Sequence, residues 1–177
     1  MVSERLPSRE QALNLLQQKH CPSIVINHCL AVAELAMETA SKLEAKGFSI
    51  NTKLVEAGAL LHDLGRSKTH TVDHAVIGAE IAKSTGLPEP IIRIIKRHIG
   101  GGITAAEAEA FGWPKDVYVP ETLEEKIVSY ADKQIDQSKR VRISVEIRRL
   151  QSEGKAEAAE RVRRLYEDIS SLLGDDK

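Results

Sequence analysis

The chain has 177 residues, enough for one domain with a substantial core. Its 42% hydrophobic and 29% charged residues, with six prolines and eleven glycines, fit a compact helical protein and exclude a disordered one. A formal net charge of −1 and 3% aromatic residues argue against a general electrostatic pull toward nucleic acid and against a surface that stacks bases on rings. No run of about 18 apolar residues is present to span a bilayer.

Met1–Glu10 carries no apolar stretch of the signal-peptide kind, and Ser8 can cap a short helix to about Gln18, with Leu13 and Leu16 on its apolar side. His20 reads as a turn residue before Cys21-Pro22. Pro22 suits the first turn of a long helix to about Lys46, closed by Gly47. Ile24, Leu30, Ala31, Leu35, Ala36 and Leu43 give that helix its period, and His28 points to the interior side with Ile24 and Ala31. If Cys21 and Cys29 share a helix they are separated by about 12 Å of rise, too far for a disulfide. Both read as reduced packing residues, which fits a cytoplasmic setting.

Asn51-Thr52 can cap the next helix, whose central Ala57, Gly58 and Ala59 would let a neighbour approach closely. That helix ends in His62-Asp63, followed by Leu64-Gly65-Arg66. An adjacent His and Asp in an apolar run is costly to bury unless both are satisfied. A divalent cation would satisfy them together, taking imidazole nitrogen and carboxylate oxygen. The alternative is a helix end with a solvated Asp and a core His. Gly65 suits a helix end, being free to adopt a left-handed conformation.

Residues 66–71 read as a polar loop with His70 exposed, and Thr71 or Asp73 can cap a helix from about His74 to Thr85, ended by Gly86. His74 and Gly78 share one face of it. Pro88 opens a short helix with Ile91, Ile92, Ile94 and Ile95, closing near His98 before Gly100-Gly101-Gly102. Thr104 with Glu107, and Thr122 with Glu125, are capping boxes for two further helices, the second carrying Ile127, Val128, Ala131 and Asp132. Between them, 113–120 reads as a loop. About Ser144 to Gly154 and Lys155 to Leu173 read as charged amphipathic helices whose Arg and Glu form a solvated face with i,i+4 pairs. With no period-2 strand pattern and no repeat, the expected fold is all-α. It is read as one domain over 1–177, with a core at about 22–138 and a helical extension at about 142–174.

The residues that carry chemistry are His28, His62-Asp63, His74, His98 and Asp132, each on or ending a predicted helix. In that order they resemble the HD superfamily of metal-dependent phosphohydrolases, whose pattern is a His, then His-Asp, then a later Asp. His62-Asp63-Leu64-Gly65 differs from the His-Asp-Ile-Gly variant only by Leu for Ile, and His74-Ala75-Val76-Ile77-Gly78-Ala79 is similar to a His-x-x-x-Gly-Ala element of longer-motif members. Through 98–102 and 124–133 the chain looks closest to small archaeal-type stand-alone HDIG proteins. The likeness runs from Ile24 to Lys133.

The resemblance implies an orthogonal helical bundle of the HD type. It makes His28, His62, Asp63 and Asp132 the primary metal ligands, with His74 and His98 as additional ligands or as contacts to phosphate or water. Two imidazoles and two carboxylates suit Mn, Fe, Co, Ni or Zn, as one ion or as two with Asp63 between them. Arg97 stands where many binuclear relatives carry a second His. Arg66 could fork a phosphate or cap the helix end, and Arg97, Lys133 and Gly101 are further substrate-binding candidates. Catalytic roles fall to Asp63, Arg66, His74 and His98. The activity implied is hydrolysis of a nucleotide-like phosphomonoester or phosphodiester by metal-activated water. The competing class is a nucleotide-sensing or scaffold module with little turnover. The expected partner is a small phosphorylated or nucleotide substrate, without a membrane and without a strong nucleic-acid signal; the C-terminal helices could form a lid or a homo-oligomer contact.

Overall fold

In the computed structural model, which describes residues 5–174, the second helix packs most extensively on the third and the seventh. The first, α1 (Arg9–Gln18), starts in a capping box: the Gln11 N–H donates to Ser8 Oγ and the Ser8 N–H to Gln11 Oε1. The leader reading of residues 1–10 and the ends of the 1–177 span lie in part outside the described residues. His20, at φ 58°, makes the turn. Then α2 (Ser23–Ala45) buries Val25, Cys29, Val32, Ala36, Ala40 and Leu43, a stripe at three- and four-residue intervals that faces the core. Both cysteines are buried and free.

Along α2 lie α3 (Thr52–Leu61) and α7 (Leu123–Asp132). Asn51 caps α3 by accepting the Leu54 N–H. From Ala57 to Leu61 every residue of α3 is buried, because α2 covers one side and α5 (Glu89–Arg97) another. The small residues permit this: a Cβ on Gly58 would stand 2.4 Å from Ile94 Cδ1. Leu60, Leu61, Ile94 and Ile95 are fully buried at this crossing, each worth about 1.5–3 kcal/mol relative to exposure. α4 (His74–Ser84) packs on α5. A smaller cluster of Ala75, Ile103, Ala108, Trp113 and Tyr118 seats α6 (Ala105–Ala110) and the loop after it, closed by an isolated bridge between Ile103 and Tyr118.

After α7 the chain makes a minimal hairpin, β1 (Ile135–Asp136) against β2 (Lys139–Arg140), turning through Gln137 at φ 54°. Two-residue strands are too short to show an alternating pattern, so this corrects the strand-free reading without changing the class. The protein is all-α. Finally α8 (Ile143–Ser152) and α9 (Ala156–Leu173) pair through Leu150, Ala158, Ala159 and Val162, while Leu165, Ile169 and Leu173 of α9 join the main core. The expected ladders of surface pairs are present, Arg149 with Glu146 and Glu153, and Arg163 with Glu160 and Glu167. No helix among the described residues is long and apolar enough to cross a membrane.

Candidate metal centre

α3 stops at His62. Asp63 leaves the helical region at φ −98°, ψ 18°, and a short 3-10 turn over Leu64–Ser67 follows. Consecutive residues of a continuing helix would diverge by about 100°; with the bend, Asp63 Oδ2 stands 3.8 Å from His62 Nε2. His28 comes from α2, His74 is the first residue of α4, His98 follows α5, and Asp132 ends α7.

The four imidazoles share one hydrogen-bond arrangement. His28 Nδ1 meets the Gln137 carbonyl at 2.8 Å, His62 Nδ1 the Ala59 carbonyl at 2.7 Å, His74 Nδ1 the Thr71 carbonyl at 2.7 Å and His98 Nδ1 the Ile95 carbonyl at 2.6 Å. A carbonyl oxygen can only accept, so each Nδ1 carries a proton and each Nε2 faces the centre, where a neutral ring presents a lone pair. There His28 Nε2 lies 3.0 Å and His62 Nε2 3.4 Å from Asp132 Oδ1. His74 Nε2 lies 3.1 Å from Asp63 Oδ1 and 3.1 Å from His98 Nε2, which is itself 3.4 Å from Asp63 Oδ1.

Lone pairs of four rings and two carboxylates repel one another unless positive charge sits among them. His62 Nε2 and Asp63 Oδ1 are buried with no hydrogen-bond partner among the described residues, a cost that native structures rarely leave uncompensated. Spacings of 3.0–3.4 Å match the edges of a coordination polyhedron with bonds of about 2.1 Å. The donor set therefore fits a divalent cation. His28, His62 and Asp132 can converge on one such position, and His62, Asp63 and His98 on another.

Ionisation agrees. Burial alone would raise the Asp63 carboxyl, but the surrounding imidazoles of His62, His74 and His98 hold it well below the usual carboxylate range. Asp132 is held down in the same way against its burial by Lys133, His28 and His62. Burial and the neighbouring imidazoles push His98 to about 4, so its ring is neutral at pH 7. His28 moves up: its burial is outweighed by the hydrogen bond and charge of Asp132.

Around this floor lies a cleft of about 1160 Å³, lined by His28, Asp63, His74, His98 and Asp132 and walled on the far side by α8 and the start of α9. Arg66 and Lys133 line it. The Arg66 Nε–H donates to Asp63 Oδ2 at 2.7 Å, and Lys133 Nζ pairs with Asp132 Oδ2. Arg66 thus braces the His-Asp turn. His70 is exposed, as expected, and stands on the cleft lining.

Two expected substrate contacts are placed elsewhere. Arg97 is buried against α7, where Nη1 donates to Glu125 at 3.0 Å and to Glu121 at 2.7 Å, and Nε to the Val117 carbonyl. Its helical neighbour His98 faces the centre, so Arg97 points away from it. Gly101 packs on α9, where a Cβ would stand 2.9 Å from the Arg161 backbone; Gly100 is the glycine on the cleft. Gly65 is also corrected: its φ is not positive, and it is small because α4 passes so close that a Cβ would lie 1.9 Å from the His74 carbonyl oxygen. Asp73 does not cap α4; its Oδ1 accepts from Trp113 Nε1 at 2.7 Å.

Sequence reasoning missed the carbonyl partners of the imidazoles, which no residue type announces. It also missed a tie across the cleft, where Arg161 of α9 grips Glu107 of α6 at 2.8 and 2.9 Å and donates to the Gly102 carbonyl.

A family model described as the HD domain matches residues 25–134. An uncharacterised protein of Methanocaldococcus jannaschii is 44% identical over 166 residues, covering 93% of this chain and 98% of that protein. A tRNA (cytidine(56)-2'-O)-methyltransferase of Picrophilus torridus is 38% identical over 171 residues, 97% of this chain and 49% of the relative, so the chain spans about half of that relative's length. Among solved structures, the HD domain of the L. monocytogenes phosphodiesterase PgpH in complex with cyclic-di-AMP superposes with a TM-score of 0.57 at 21% identity, covering 93% of this chain and 96% of that one. That last likeness is one of fold. With the family match spanning every residue of the centre from His28 to Asp132, the chain belongs to the HD-domain family.

Proposed function

We propose that the protein hydrolyses a phosphoester of a nucleotide-like small molecule, held with its phosphate against the His–Asp floor. What carries this reading is the convergence of four Nε2 atoms and two carboxylates at the base of an open cleft. Ligand clefts run to about 300–1,000 Å³; at about 1160 Å³ this one has room for more than a phosphate group.

A divalent ion of the Mn, Fe, Co, Ni or Zn kind would be held by His28, His62, Asp63 and Asp132. His74 and His98 would serve as additional ligands or as contacts to phosphate or water. When bound, such an ion lowers the pKa of water and polarises a phosphoryl oxygen. The chain's own groups do the remaining work. The four carbonyl contacts hold each ring with its proton on Nδ1 and Nε2 facing the centre, the tautomer a metal ligand needs. Arg66 uses Nε to hold Asp63 and Nη1 to reach the His70 carbonyl, and its Nη2 would meet a phosphate oxygen. Lys133, on the same wall, adds a second positive charge against the charge that develops on the transferring group.

The test is hydrolysis of phosphomonoesters and phosphodiesters across a metal panel, with elemental analysis of protein purified without added metal. Cyclic-di-AMP belongs in the panel because the fold neighbour was crystallised with it. The expectation is metal-dependent turnover of at least one nucleotide, abolished by Asp63→Ala, with one or two ions per chain. Turnover that survives Asp63→Ala unchanged defeats the reading.

A further inference from the structure

Three of the four imidazoles find the carbonyl that holds Nδ1 three residues back in their own stretch of chain, His62 at Ala59, His74 at Thr71 and His98 at Ile95. The reason is where they stand. A helix leaves its last carbonyls without intrahelical donors, and His62 and His98 directly follow α3 and α5, while His74 draws on the loop that leads into α4. His28 lies inside α2, where the neighbouring carbonyls are committed to the helix ladder. Its acceptor comes from 109 residues away, the carbonyl of Gln137 at 2.8 Å.

Gln137 stands at the tip of the β1–β2 hairpin with φ 54°, a conformation that non-glycine residues seldom adopt and that persists only where the surroundings hold it. Strands of two residues supply little of that hold. The hairpin is fixed at its base by Ile135, buried in the core, and by Arg140, whose Nη2 donates to Glu38 of α2 at 2.6 Å. Its tip is exposed, and Asp136 and Gln137 line the cleft above the His–Asp floor. His28 is also the most open of the four rings, with 16% of its side chain exposed against 5% or less for the others.

We propose that Gln137 is a positioning residue: its backbone carbonyl, presented by the left-handed turn, aims His28 and so sets the strength of the His28–His62–Asp132 cation position. The position made by His62, Asp63 and His98 is independent of the hairpin. This role rests on the cation reading of the centre and adds a control point to it. One position is gripped from within the helical core, and the other through a two-stranded hairpin that faces whatever occupies the cleft.

The probe is Co2+ alone, titrated into the chelator-stripped full chain against a chromophoric chelator, with its visible absorption reporting coordination. The ion held through His28 is the one that His28→Ala weakens. Gln137→Val places a β-branched residue where positive φ is strained. It should weaken that ion by about 10–100-fold, the usual value of an outer partner of a ligating imidazole. Gln137→Gly keeps both the turn and the carbonyl, and should bind within about 2-fold of the unsubstituted protein. In the His28→Ala background, Gln137→Val should change Co2+ affinity by less than about 2-fold, because the ring it acts through is gone. Position 137 is exposed, so the variants should fold, as circular dichroism checks, and Gln137→Thr repeats the test if Gln137→Val does not fold. Unchanged Co2+ affinity in Gln137→Val or in His28→Ala overturns the positioning role and leaves the cation reading standing. So does a Gln137→Gly protein as weak as Gln137→Val, or an equal loss from Gln137→Val with and without His28. If the unsubstituted protein binds no Co2+, the cation reading fails and the positioning role with it.

Discussion

Gly65→Ala is the substitution that most directly tests how the centre is assembled. The added Cβ would lie 1.9 Å from the His74 carbonyl oxygen and 2.7 Å from the Gly78 nitrogen, both backbone atoms that no rotamer change can move. To reach even 3.0 Å, which real Cβ atoms essentially never undercut, α4 and the turn after Asp63 must part by about 1 Å. His74 sits at the start of α4, so that displacement falls on its 3.1 Å approach to Asp63. Overpacking against backbone costs about 3 kcal/mol, the upper part of the usual range, and a 1 Å misplacement of reacting groups costs about 100-fold in rate. Chemical denaturation should therefore show an unfolding free energy lowered by about 3 kcal/mol, through an earlier midpoint at unchanged slope, and kcat/KM on any turned-over phosphoester should fall about 100-fold. Gly78→Ala, whose Cβ would stand 2.9 Å from the Gly65 nitrogen and from Ile95 Cγ2, needs a much smaller shift. It also gains about 1 kcal/mol of helix propensity, so it should be close to neutral in stability. Gly65→Ala protein with full metal content, unaltered stability and unaltered kcat/KM would refute this account of the centre.

Arg97→Met should lower the unfolding free energy by about 3 kcal/mol, because it strands the buried Glu125 carboxylate, yet leave KM unchanged, since Arg97 faces α7 and not the cleft; urea titration and steady-state kinetics read the two effects separately. Chelation should lower the melting temperature by about 5–10 °C, from about 2.7 kcal/mol of linkage at a metal concentration a hundred times its Kd; scanning calorimetry of a chain whose melting is indifferent to chelator would contradict a centre that needs a cation. Glu107 is held below the usual range: its burial would raise it, but the Thr104 N–H and Arg161 more than offset that. A depressed folded pKa contributes stability that is present above the ordinary Glu value of about 4.3 and is lost as the pH falls through the folded value. The stability difference between the protein and Glu107→Gln should therefore shrink on acidification, as denaturant midpoints from pH 7 downward would show.

What the sequence makes legible is what helices write locally. Thr104 with Glu107 and Thr122 with Glu125 start α6 and α7 where their side chains say they should, since a capping box is complete within four residues. The six candidate ligands are legible for a different reason, their order in a known pattern. Arg97 shows the limit: adjacency to His98 suggests a shared site, but a helical step of about 100° sends it to Glu125. Gly65 reads as a left-handed stop because that is the common duty of a glycine after a helix; its actual duty depends on α4 passing by, which no local pattern contains. The Arg161–Glu107 tie joins residues 54 apart, and each alone looks like surface charge.

These cases share a physical origin in where the ligands stand. His62 closes α3, His74 opens α4, His98 follows α5 and Asp132 ends α7; only His28 lies within a helix. The rigid bodies of the helices bring the ends together, but the direction of each side chain is set by the turn beside it. The conformations there are uncommon: Asp63 at φ −98° and ψ 18°, three successive glycines of positive φ at 100–102, and Gln137 at φ 54°, whose carbonyl fixes the His28 ring. Such conformations persist only where the surroundings over-determine them, and here the core helices supply that constraint. Stability and chemistry are thus divided along the chain: apolar stripes such as 25–43 of α2 hold the frame, while short turns of little intrinsic preference aim the ligand atoms. A reading of helices alone recovers the frame and leaves the aim undetermined, which is why the structure departs from it at 65, 73, 97, 101 and 135–140, each at or beside a turn near a candidate ligand.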